Sequence, residues 1–532
     1  MRAPSRGSQA KNNARSSLSW THEGTLFAPI SPAQKEKLSQ FLTLLRAVRP
    51  LQKEHRNALP GDIVALSENL TTERSRLSHP YWSKPAAISA YLYYFLPWNL
   101  VRLIRLFQTL PLQPQDQEHN LLFDLGSGPL TVPLALWFAK PALRSFPLTI
   151  IAQDRSKQAL SLGQRLLTAL SQQEGLPPWR IVLMPSSIES ALRRFPGFCR
   201  EHRIHSKLWL ITAANVINEV GEREKKQRFR GSEEGEESEN VFLSSIEECV
   251  DGIASLVHEA VSHNGKREDF CQVHHPLVLF VEPGTRLGGK IIELIREKAL
   301  QTGLFPTFPC PHTQSCPLTE GHGRRTWCHF TFDTEGAPSW LVALSSEAGL
   351  GKEALSLAPL MLSSQRRDGE KEEKSFLARI ISAPFFVPAL IGKARYACSH
   401  KGLLLLEDAE AFSQGSLLRL ANDSLHSFEQ DKKSGAIILR HRTAQKREEK
   451  RPEKEKGKQI GEKGARRREN ERQKDSSKKP LSPSHGDRGK HSFQERQKVY
   501  GERENPERKR SFGKRCVFRT PSPSSFHGRS SS

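Results

Sequence analysis

The chain has 532 residues, a formal net charge of +22 and eight cysteines. It is too long for a single hydrophobic core, so we expect two or three domains joined by linkers. The sequence contains neither a secretory signal segment nor an apolar run of about 18 residues, which argues against a secreted disulfide-rich protein and against a membrane-spanning one. Clustered thiols in such a chain are expected to bind metal.

The positive charge is concentrated in residues 441–532, which contain 28 Lys and Arg against 13 Asp and Glu. The segment has few aliphatic residues and cannot bury enough apolar surface to offset its ordering entropy, so we predict a disordered basic tail. Its composition favours binding to phosphate backbones with strong salt dependence. The alternative is a solubilising extension without a specific partner. Residues 1–30 are predicted to be a disordered start.

Residues 31–110 are predicted to be helical, because apolar residues recur there at steps of three and four. After residue 110 the pattern changes to short apolar runs that alternate with helical segments. This alternation predicts an α/β domain over residues 111–304 with a doubly wound, Rossmann-like parallel sheet that binds ligands at the carboxyl ends of its strands. The strand-like runs are LLFDLGSGP (121–129), PLTIIAQD (147–154), WRIVLMP (179–185), KLWLITAANVI (207–217) and HPLVLFVEPG (275–284). The hydrophilic insertions at 221–239 and 363–374 are predicted to be exposed loops.

The turn after the first of these strands indicates cofactor binding. Gly126 and Gly128 allow a ligand to approach the backbone, and the following helix presents free N–H groups. Asp124 can accept a hydrogen bond from an amino group, and Asp154, at the end of the second strand, can bind both hydroxyls of a ribose. Pro129 and the leucine after it suit a pyrophosphate poorly, which favours an adenosyl ligand such as S-adenosylmethionine over NAD. A purely structural turn is the alternative.

The fourth strand ends in AANVINEV, which supplies the catalytic candidates Asn215, Asn218 and Glu219. Amide and carboxylate groups at this edge can orient an acceptor nitrogen or line the path of a methyl group. The alternative is that these residues cap the next helix. Glu282, at the end of the fifth strand, is a further candidate for lining the pocket.

A Pro-rich loop contains three of the eight cysteines: Cys310, Cys316 and Cys328. Thiolates on a segment with little apolar surface indicate a metal or cluster site. Their spacing matches neither a zinc ribbon nor a bacterial ferredoxin. Cys398 is the best candidate for the fourth thiolate that would close the site, with His312 and His329 beside the loop. Unrelated buried cysteines are the alternative.

The motifs DLGSGP, ANVINEV, VEPGTRLGG, PCPHTQSCPL and TWCHF, in this order, resemble the methyltransferase-like assembly factors of the small mitoribosomal subunit and their bacterial relatives. The resemblance covers roughly Ser78 to Glu407. It implies a seven-stranded S-adenosylmethionine-dependent methyltransferase fold that docks on small-subunit rRNA. It also implies a 4Fe-4S cluster on four cysteines, which map onto Cys310, Cys316, Cys328 and Cys398. Tetrahedral zinc is the alternative metal for four thiolates.

These expectations combine into one hypothesis. A helical N-terminal region precedes the methyltransferase domain, and residues 305–440 form the cysteine-rich cluster loop and a small β-rich segment. The leading function is methyl transfer to small-subunit rRNA during ribosome assembly, in the cytoplasm or in the mitochondrial matrix, without a membrane partner. A non-catalytic rRNA-binding assembly chaperone and a zinc-containing methyltransferase of another substrate are the competing hypotheses.

Overall fold

The computed structural model describes residues 20–71, 81–113, 119–228, 236–264, 275–319, 327–366, 374–421 and 429–440. The predicted basic tail and residues 1–19 lie outside these ranges. No helix in the described ranges is both long enough and apolar enough to cross a membrane.

The N-terminal part begins with a short strand and continues as helices. Ser31 caps the first helix, since its hydroxyl accepts the N–H of Gln34 while the Gln34 side chain accepts the Ser31 N–H, and Pro32 fits the first turn. A 3-10 turn (Tyr81–Ser83) and a π-helical turn (Tyr91–Phe95) interrupt the helical path. The remaining elements are β1 (Trp20–Gly24), α1 (Pro32–Val48), α2 (Lys53–Thr71), α3 (Pro85–Ala90) and α4 (Leu96–Phe107).

The next part of the chain alternates strands with helices, as the apolar runs predict. Its elements are β2 (Asn120–Leu125), α5 (Thr131–Ala139), β3 (Leu148–Asp154), α6 (Lys157–Gln173), β4 (Arg180–Pro185), α7 (Ile188–Glu201), β5 (Lys207–Ala214), α8 (Ile217–Arg228), α9 (Glu236–Asn264), β6 (Leu277–Pro283), α10 (Arg286–Gln301), β7 (Phe305–Phe308), β8 (Phe330–Asp333), α11 (Ser339–Glu347) and β9 (Ala354–Ser363).

These strands form one mixed sheet with the order β4-β3-β2-β5-β6-β9-β7, and β8 also pairs with β9. The first five strands of this order are parallel. Strand β9 runs antiparallel to β6, β7 and β8. The α/β prediction is confirmed, but the sheet continues to Ser363, so the boundary predicted at residue 304 cuts through it. The strand order reverses between β2 and β5, which places a ligand crevice at their carboxyl ends.

Both faces of the sheet are covered, because neighbouring residues of one strand belong to different cores. Leu122 of β2 packs in the core that includes the N-terminal helices, whereas Phe123 packs in a second core with helices α7, α9 and α10. A strand that is buried on both faces appears in the sequence as a continuous apolar run. This explains why β2, β3, β5 and β6 could be found from the sequence.

The C-terminal part forms a second sheet with the order β1-β14-β10-β12-β13-β15, and β11 pairs with β12. Its strands are β10 (Ser375–Ile380), β11 (Phe385–Phe386), β12 (Lys393–Ser399), β13 (Gly402–Leu406), β14 (Leu417–Ala421) and β15 (Ile437–Leu439). The presence of β1 corrects the prediction of a disordered start for residues 20–30. Trp20 pairs with Leu420, and Leu26 and Ile30 are buried.

The insertion at 221–239 was predicted to be an exposed loop, and this is wrong for the residues that the structure describes. Helix α8 continues to Arg228 and α9 begins at Glu236, with residues 229–235 outside the description. Glu, Lys and Arg are good helix formers, so a charged segment can extend a helix. Gly221 lets the pair pack closely, because a Cβ there would lie 2.5 Å from the Phe242 ring. Of the insertion at 363–374, Ser363 belongs to β9 and residues 367–373 lie outside the description.

Candidate functional site

The glycine turn after β2 lies at the point where the strand order reverses. Gly126 and Gly128 both have left-handed backbones, with φ of 63° and 53°. The Gly126 N–H donates to the Gln153 side chain at 2.9 Å. A Cβ on Gly126 would lie 2.3 Å from Val216, whereas one on Gly128 would meet no described atom within 4 Å. Gly126 is therefore required for packing, and Gly128 borders open space that a ligand can enter.

Asp124 lies beneath this turn and exposes no surface. Its two oxygens accept hydrogen bonds from the hydroxyls of Ser127 (2.5 Å) and Thr212 (2.6 Å). Burial raises the pKa of its carboxyl to about 7, against the opposing effect of the two hydroxyls. In this structure Asp124 joins β2, the turn and β5 instead of facing the open space beside Gly128.

Asp154 ends β3, is half-buried and faces the same turn. Its carboxylate accepts the Gly128 N–H at 3.0 Å and the Ser156 N–H at 2.8 Å. The sequence analysis missed Gln153, which accepts the Gly126 N–H and donates to the Ser186 carbonyl at 2.6 Å. Its position directly before the strand-ending acid was the available signal. The predicted residues Gly126, Gly128 and Asp154 therefore lie together.

The catalytic candidates follow β5 on the other side of the turn. Asn215 has a left-handed backbone (φ 58°) and donates its N–H to Val281 at 2.7 Å. The buried Glu282 accepts the Ile217 N–H at 3.0 Å at the start of α8, so a glutamate performs the capping considered for the asparagines. Asn218 is 8% exposed, and its Oδ1 has no hydrogen-bond partner among the described residues. This oxygen is available to a ligand that carries a donor.

Tyr91 brings the N-terminal region to the same edge. Its hydroxyl lies within hydrogen-bonding reach of the side chains of Thr131 and Asn99. Burial is the main cause of its raised pKa, and the carboxylates of Glu219 and Asp154 add to it. The sequence analysis did not single out this residue, because YLYYF looks like part of an ordinary apolar helix.

The cysteine loop leaves and rejoins the large sheet along one strand. Phe308 of β7 pairs with Met361 and Phe330 of β8 pairs with Leu357, so both short strands lie on the edge of β9 opposite β6. Residues 309–329 form the excursion between them, with 320–326 outside the description. The sheet thus fixes the two ends of the loop that contains three of the predicted ligands.

The four predicted thiols come together at this loop. Burial raises the pKa of the Cys328 thiol well above its ordinary value, and the thiols of Cys310, Cys316 and Cys398 raise it further. Burial also raises the pKa of Cys316 to about 12. The Cys398 Sγ lies 3.4 Å from His312 Nε2. Even so, no group of three or more His, Cys, Asp or Glu side chains within the described ranges is arranged to hold a metal ion.

Two other described cysteines are separate from this group. Burial raises the pKa of Cys199 to about 11 and that of Cys249 to about 12, and no thiol contributes to either shift. Cys249 is a residue of α9 and packs in the second apolar core. The remaining two, Cys271 and Cys516, lie outside the described residues.

One face of α10 supports the cysteine loop, since positions 289, 293, 296 and 297 lie on the same side of a helix. The Cys328 N–H donates to Glu293 at 3.3 Å, and the Cys316 N–H donates to Glu297 at 3.0 Å. Arg296, which is 2% exposed, donates to the His312 carbonyl at 3.4 Å and also to the Gln314 carbonyl. The loop backbone is therefore held by charged side chains of a single helix.

Glycines of the VEPGTRLGG motif allow the loop to lie against this helix. A Cβ on Gly289 would lie 2.6 Å from the Trp327 ring and 2.9 Å from the Cys328 carbonyl oxygen. Gly284 accepts the Trp327 indole N–H at 3.3 Å. The motif is one of those that carry the family resemblance, and Gly289 within it is required for the close packing of the loop on the helix.

The second sheet holds both ends of the cysteine loop. Arg379 of β10 donates to the Pro309 carbonyl at 3.0 Å and to the Gly415 carbonyl at 2.8 Å. Gln414 donates to the His329 carbonyl at 2.9 Å and accepts the Thr331 N–H at 3.3 Å. These contacts bring β12, which carries Cys398, to the loop.

Part of this chain is similar to a known protein family. Residues 246–385 match the model of the family described as Rsm22, mitochondrial small ribosomal subunit Rsm22. This match confirms the resemblance to methyltransferase-like proteins of the small ribosomal subunit. The matched segment runs from α9 through β6, α10 and the cysteine loop to β11. No curated protein matches the chain.

Three solved structures illustrate what the fold is similar to. A SAM-dependent methyltransferase from Leishmania major has 9% identity and a TM-score of 0.24, over 60% of this chain and 89% of that one. The CurJ carbon methyltransferase has 11% identity and a TM-score of 0.25, over 63% and 70%. A type I restriction-modification methyltransferase subunit from Streptococcus thermophilus has 13% identity and a TM-score of 0.24, over 64% and 68%.

Proposed function

We propose that this chain is an S-adenosylmethionine-dependent methyltransferase that acts on small-subunit rRNA during ribosome assembly and carries a 4Fe-4S cluster. One combination carries the proposal: the chain has a glycine turn at the switch point of a doubly wound sheet, and a cysteine loop inside the segment that matches the Rsm22 family model. The turn is suited to an adenosyl cofactor. The family match gives the ribosomal context.

The cofactor site would form around the turn after β2. S-adenosylmethionine supplies a methyl group on a positively charged sulfur. The open space beside Gly128 would admit its methionine portion, and Asp154 would bind the ribose hydroxyls. Asp124 would support the turn from below, because its oxygens already bind two hydroxyls of the protein.

The acceptor would approach from the β5 side of the turn. Asn218 Oδ1 is buried and lacks a hydrogen-bond partner among the described residues, so it can accept a hydrogen bond from an amino group of the acceptor. Asn215 and Glu219 lie on the same segment at the carboxyl end of β5 and would complete the polar lining.

Cys310, Cys316, Cys328 and Cys398 would hold the cluster, which would link β12 of the second sheet to the cysteine loop. Two buried arginines support an anionic group at this place. Arg296 interacts electrostatically with Cys310 and Cys316, and Arg379 interacts with Cys398. A cluster or zinc ion on four thiolates carries net negative charge, so these guanidinium groups would stabilise it.

His312 would donate to the Cys398 sulfur, 3.4 Å away, once that sulfur is a metal ligand. Zinc remains the alternative occupant of the four thiolates. The raised pKa values of Cys316, Cys328 and Cys398 favour protonated thiols in the metal-free chain, and metal binding would deprotonate them.

The basic tail, residues 441–532, would contribute rRNA affinity through phosphate contacts. The description of the matched family favours the mitochondrial matrix over the cytoplasm as the compartment.

A specific observation favours a second function, that of a non-catalytic rRNA-binding assembly chaperone. The Asp154 carboxylate already accepts two backbone N–H groups of its own region. Leu130 has a left-handed backbone (φ 57°) at the start of α5, a conformation that favours glycine. A crevice whose ligand-binding carboxylate is already engaged by the protein's own backbone would serve binding to rRNA without turnover.

Anaerobic purification of the full chain provides the central test. Iron and sulfide at cluster stoichiometry with a visible absorption band would support the 4Fe-4S assignment, whereas stoichiometric zinc without iron would refute it.

Methyl transfer from labelled S-adenosylmethionine to immature small subunits would support the proposal that the chain is an enzyme. A folded chain that binds rRNA but not S-adenosylmethionine would favour the chaperone. Asp154→Ala should weaken S-adenosylmethionine binding by about 1.5–3 kcal/mol, while unchanged affinity would remove Asp154 from the site.

A further inference from the structure

The π-helical turn Tyr91–Phe95 is an unusual element within the N-terminal helices. It has the sequence YLYYF and lies between α3 and α4. π-helical turns are rare and frequently occur at functional sites, because they redirect one side chain relative to its neighbours. The turn contains three tyrosines, and their surroundings can be compared directly.

Two of these tyrosines anchor the turn to the rest of the protein. The Tyr93 hydroxyl donates to the Arg49 carbonyl at 2.7 Å, and the Tyr94 hydroxyl donates to the Leu350 carbonyl at 3.1 Å. Both side chains are buried. Tyr93 and Tyr94 therefore have a structural role, since their hydroxyls bind backbone carbonyls outside the sheet crevice.

Tyr91 has different polar neighbours, and three of the four lie at the edge of the large sheet. Thr131 begins α5, Asp154 ends β3 and Glu219 lies in the first turn of α8. These three residues follow β2, β3 and β5, the strands on both sides of the switch point. Asn99 of α4 is the remaining neighbour. The Tyr91 hydroxyl therefore lies at the carboxyl edge, beside the glycine turn.

The ring of Tyr91 belongs to a small aromatic wall. It lies 4.9 Å from the Trp82 ring at a tilted angle and 5.9 Å from the Phe95 ring in a stacked arrangement. Tyr91 and Phe95 are half-buried, so part of the wall is accessible. An aromatic surface beside hydrogen-bonding groups suits a ligand that has a planar ring and hydroxyls. A nucleoside has both.

The phenol of Tyr91 also has a defined protonation state. Burial and, to a lesser extent, the carboxylates of Glu219 and Asp154 raise its pKa above its ordinary value. Like any phenol, the Tyr91 hydroxyl carries its proton at neutral pH, and the shift strengthens this state. Ribose hydroxyls and the carboxylate of an adenosyl amino acid provide acceptors for it.

We infer that Tyr91 is a binding residue of the cofactor site, supplied by the N-terminal helical region, whose hydroxyl donates a hydrogen bond to the S-adenosyl ligand. The inference rests on the proposed function, because it specifies a wall of the proposed cofactor site beside the glycine turn. It makes the N-terminal helices part of the binding site as well as of the hydrophobic core.

The test is isothermal calorimetry of the full, anaerobically purified chain with S-adenosylhomocysteine. Tyr91→Phe should weaken binding about 3- to 10-fold, the range for losing one hydrogen bond. It also loses the contacts of its hydroxyl with Thr131 and Asn99, so its unfolding temperature should fall about as much as that of the control. Tyr93→Phe is the matched control from the same turn. It loses a hydrogen bond to the backbone, so it should lower the unfolding temperature and leave affinity unchanged.

Equal affinity of Tyr91→Phe and the wild type would overturn the inference and leave the cofactor site in place. A wild-type chain that is folded but binds no S-adenosylhomocysteine would overturn both the proposed function and the inference. Quenching of tryptophan fluorescence on ligand binding, lost in Trp82→Phe, would locate the ligand at the aromatic wall. Quenching that persists in Trp82→Phe would place the ligand elsewhere and contradict the inference.

Discussion

Alanine substitution of the two turn glycines should separate fold stability from cofactor binding. Both residues have φ near +60° (63° and 53°), so an alanine at either position costs about 1–2 kcal/mol in backbone strain. At Gly126 the new Cβ would also lie 2.3 Å from Val216, and such overpacking costs about 1–3 kcal/mol more. We therefore expect Gly126→Ala to destabilise the chain by about 2–5 kcal/mol and Gly128→Ala by about 1–2 kcal/mol.

Ligand affinity should respond differently. The Cβ of Gly128→Ala would project into the space proposed for S-adenosylmethionine, where it meets no described protein atom within 4 Å. This variant should remain folded and lose most of its affinity, as measured by calorimetry beside chemical denaturation. Wild-type affinity in Gly128→Ala would refute the placement of the ligand. Equal destabilisation of the two variants would refute the packing argument.

Three further predictions concern the thiols, the buried carboxyl and the tail. In iron analysis after anaerobic purification, Cys398→Ser should lose iron and solubility together. The control Cys249→Ser should keep its iron. Full metal retention in Cys398→Ser would mean that the fourth ligand lies elsewhere. The pKa of Asp124 is raised from 3.8 to about 7 in the folded chain. Between these values the folded state holds a proton that the unfolded state has released. The free energy of unfolding should therefore decrease as pH rises from about 4 to 7. Denaturation of wild type and Asp124→Asn across that range should show the difference, and parallel pH profiles would contradict it. Deleting residues 441–532 should flatten the salt dependence of rRNA association in filter binding, and an unchanged slope would show that the tail does not contact phosphate.

The sequence predicted those parts of the fold whose signal is local. Strands β2, β3, β5 and β6 are buried on both faces, so they appear as continuous apolar runs. Gly126, Gly128 and Asp154 follow from the same pattern, since parallel strands bring their carboxyl ends to one edge. The proximity of Cys398 to the cysteine loop could be proposed because the chain has few thiols and a site with three cysteines needs a fourth ligand.

Other features depend on contacts between distant segments. Strand β1 pairs with β14, and nothing in WTHEG indicates that partner. Strands β7 and β8 are only four residues each and are completed by β9, which explains why the domain boundary was placed too early. Tyr91 was missed because its position follows from a π-helical turn, whose apolar pattern resembles that of the helices on either side.

The segment VEPGTRLGG connects the two candidate sites through the end of one strand. Glu282 at the end of β6 accepts the N–H of Ile217, which positions the helix that carries Asn218 and Glu219. A few residues later, a Cβ on Gly289 would collide with Trp327, beside Cys328. Strand β6 and the start of α10 thus contact both the segment that carries Asn218 and Glu219 and the cysteine loop. If the proposed cluster forms on the thiols, this segment would be a continuous line of contacts between it and the proposed site of methyl transfer.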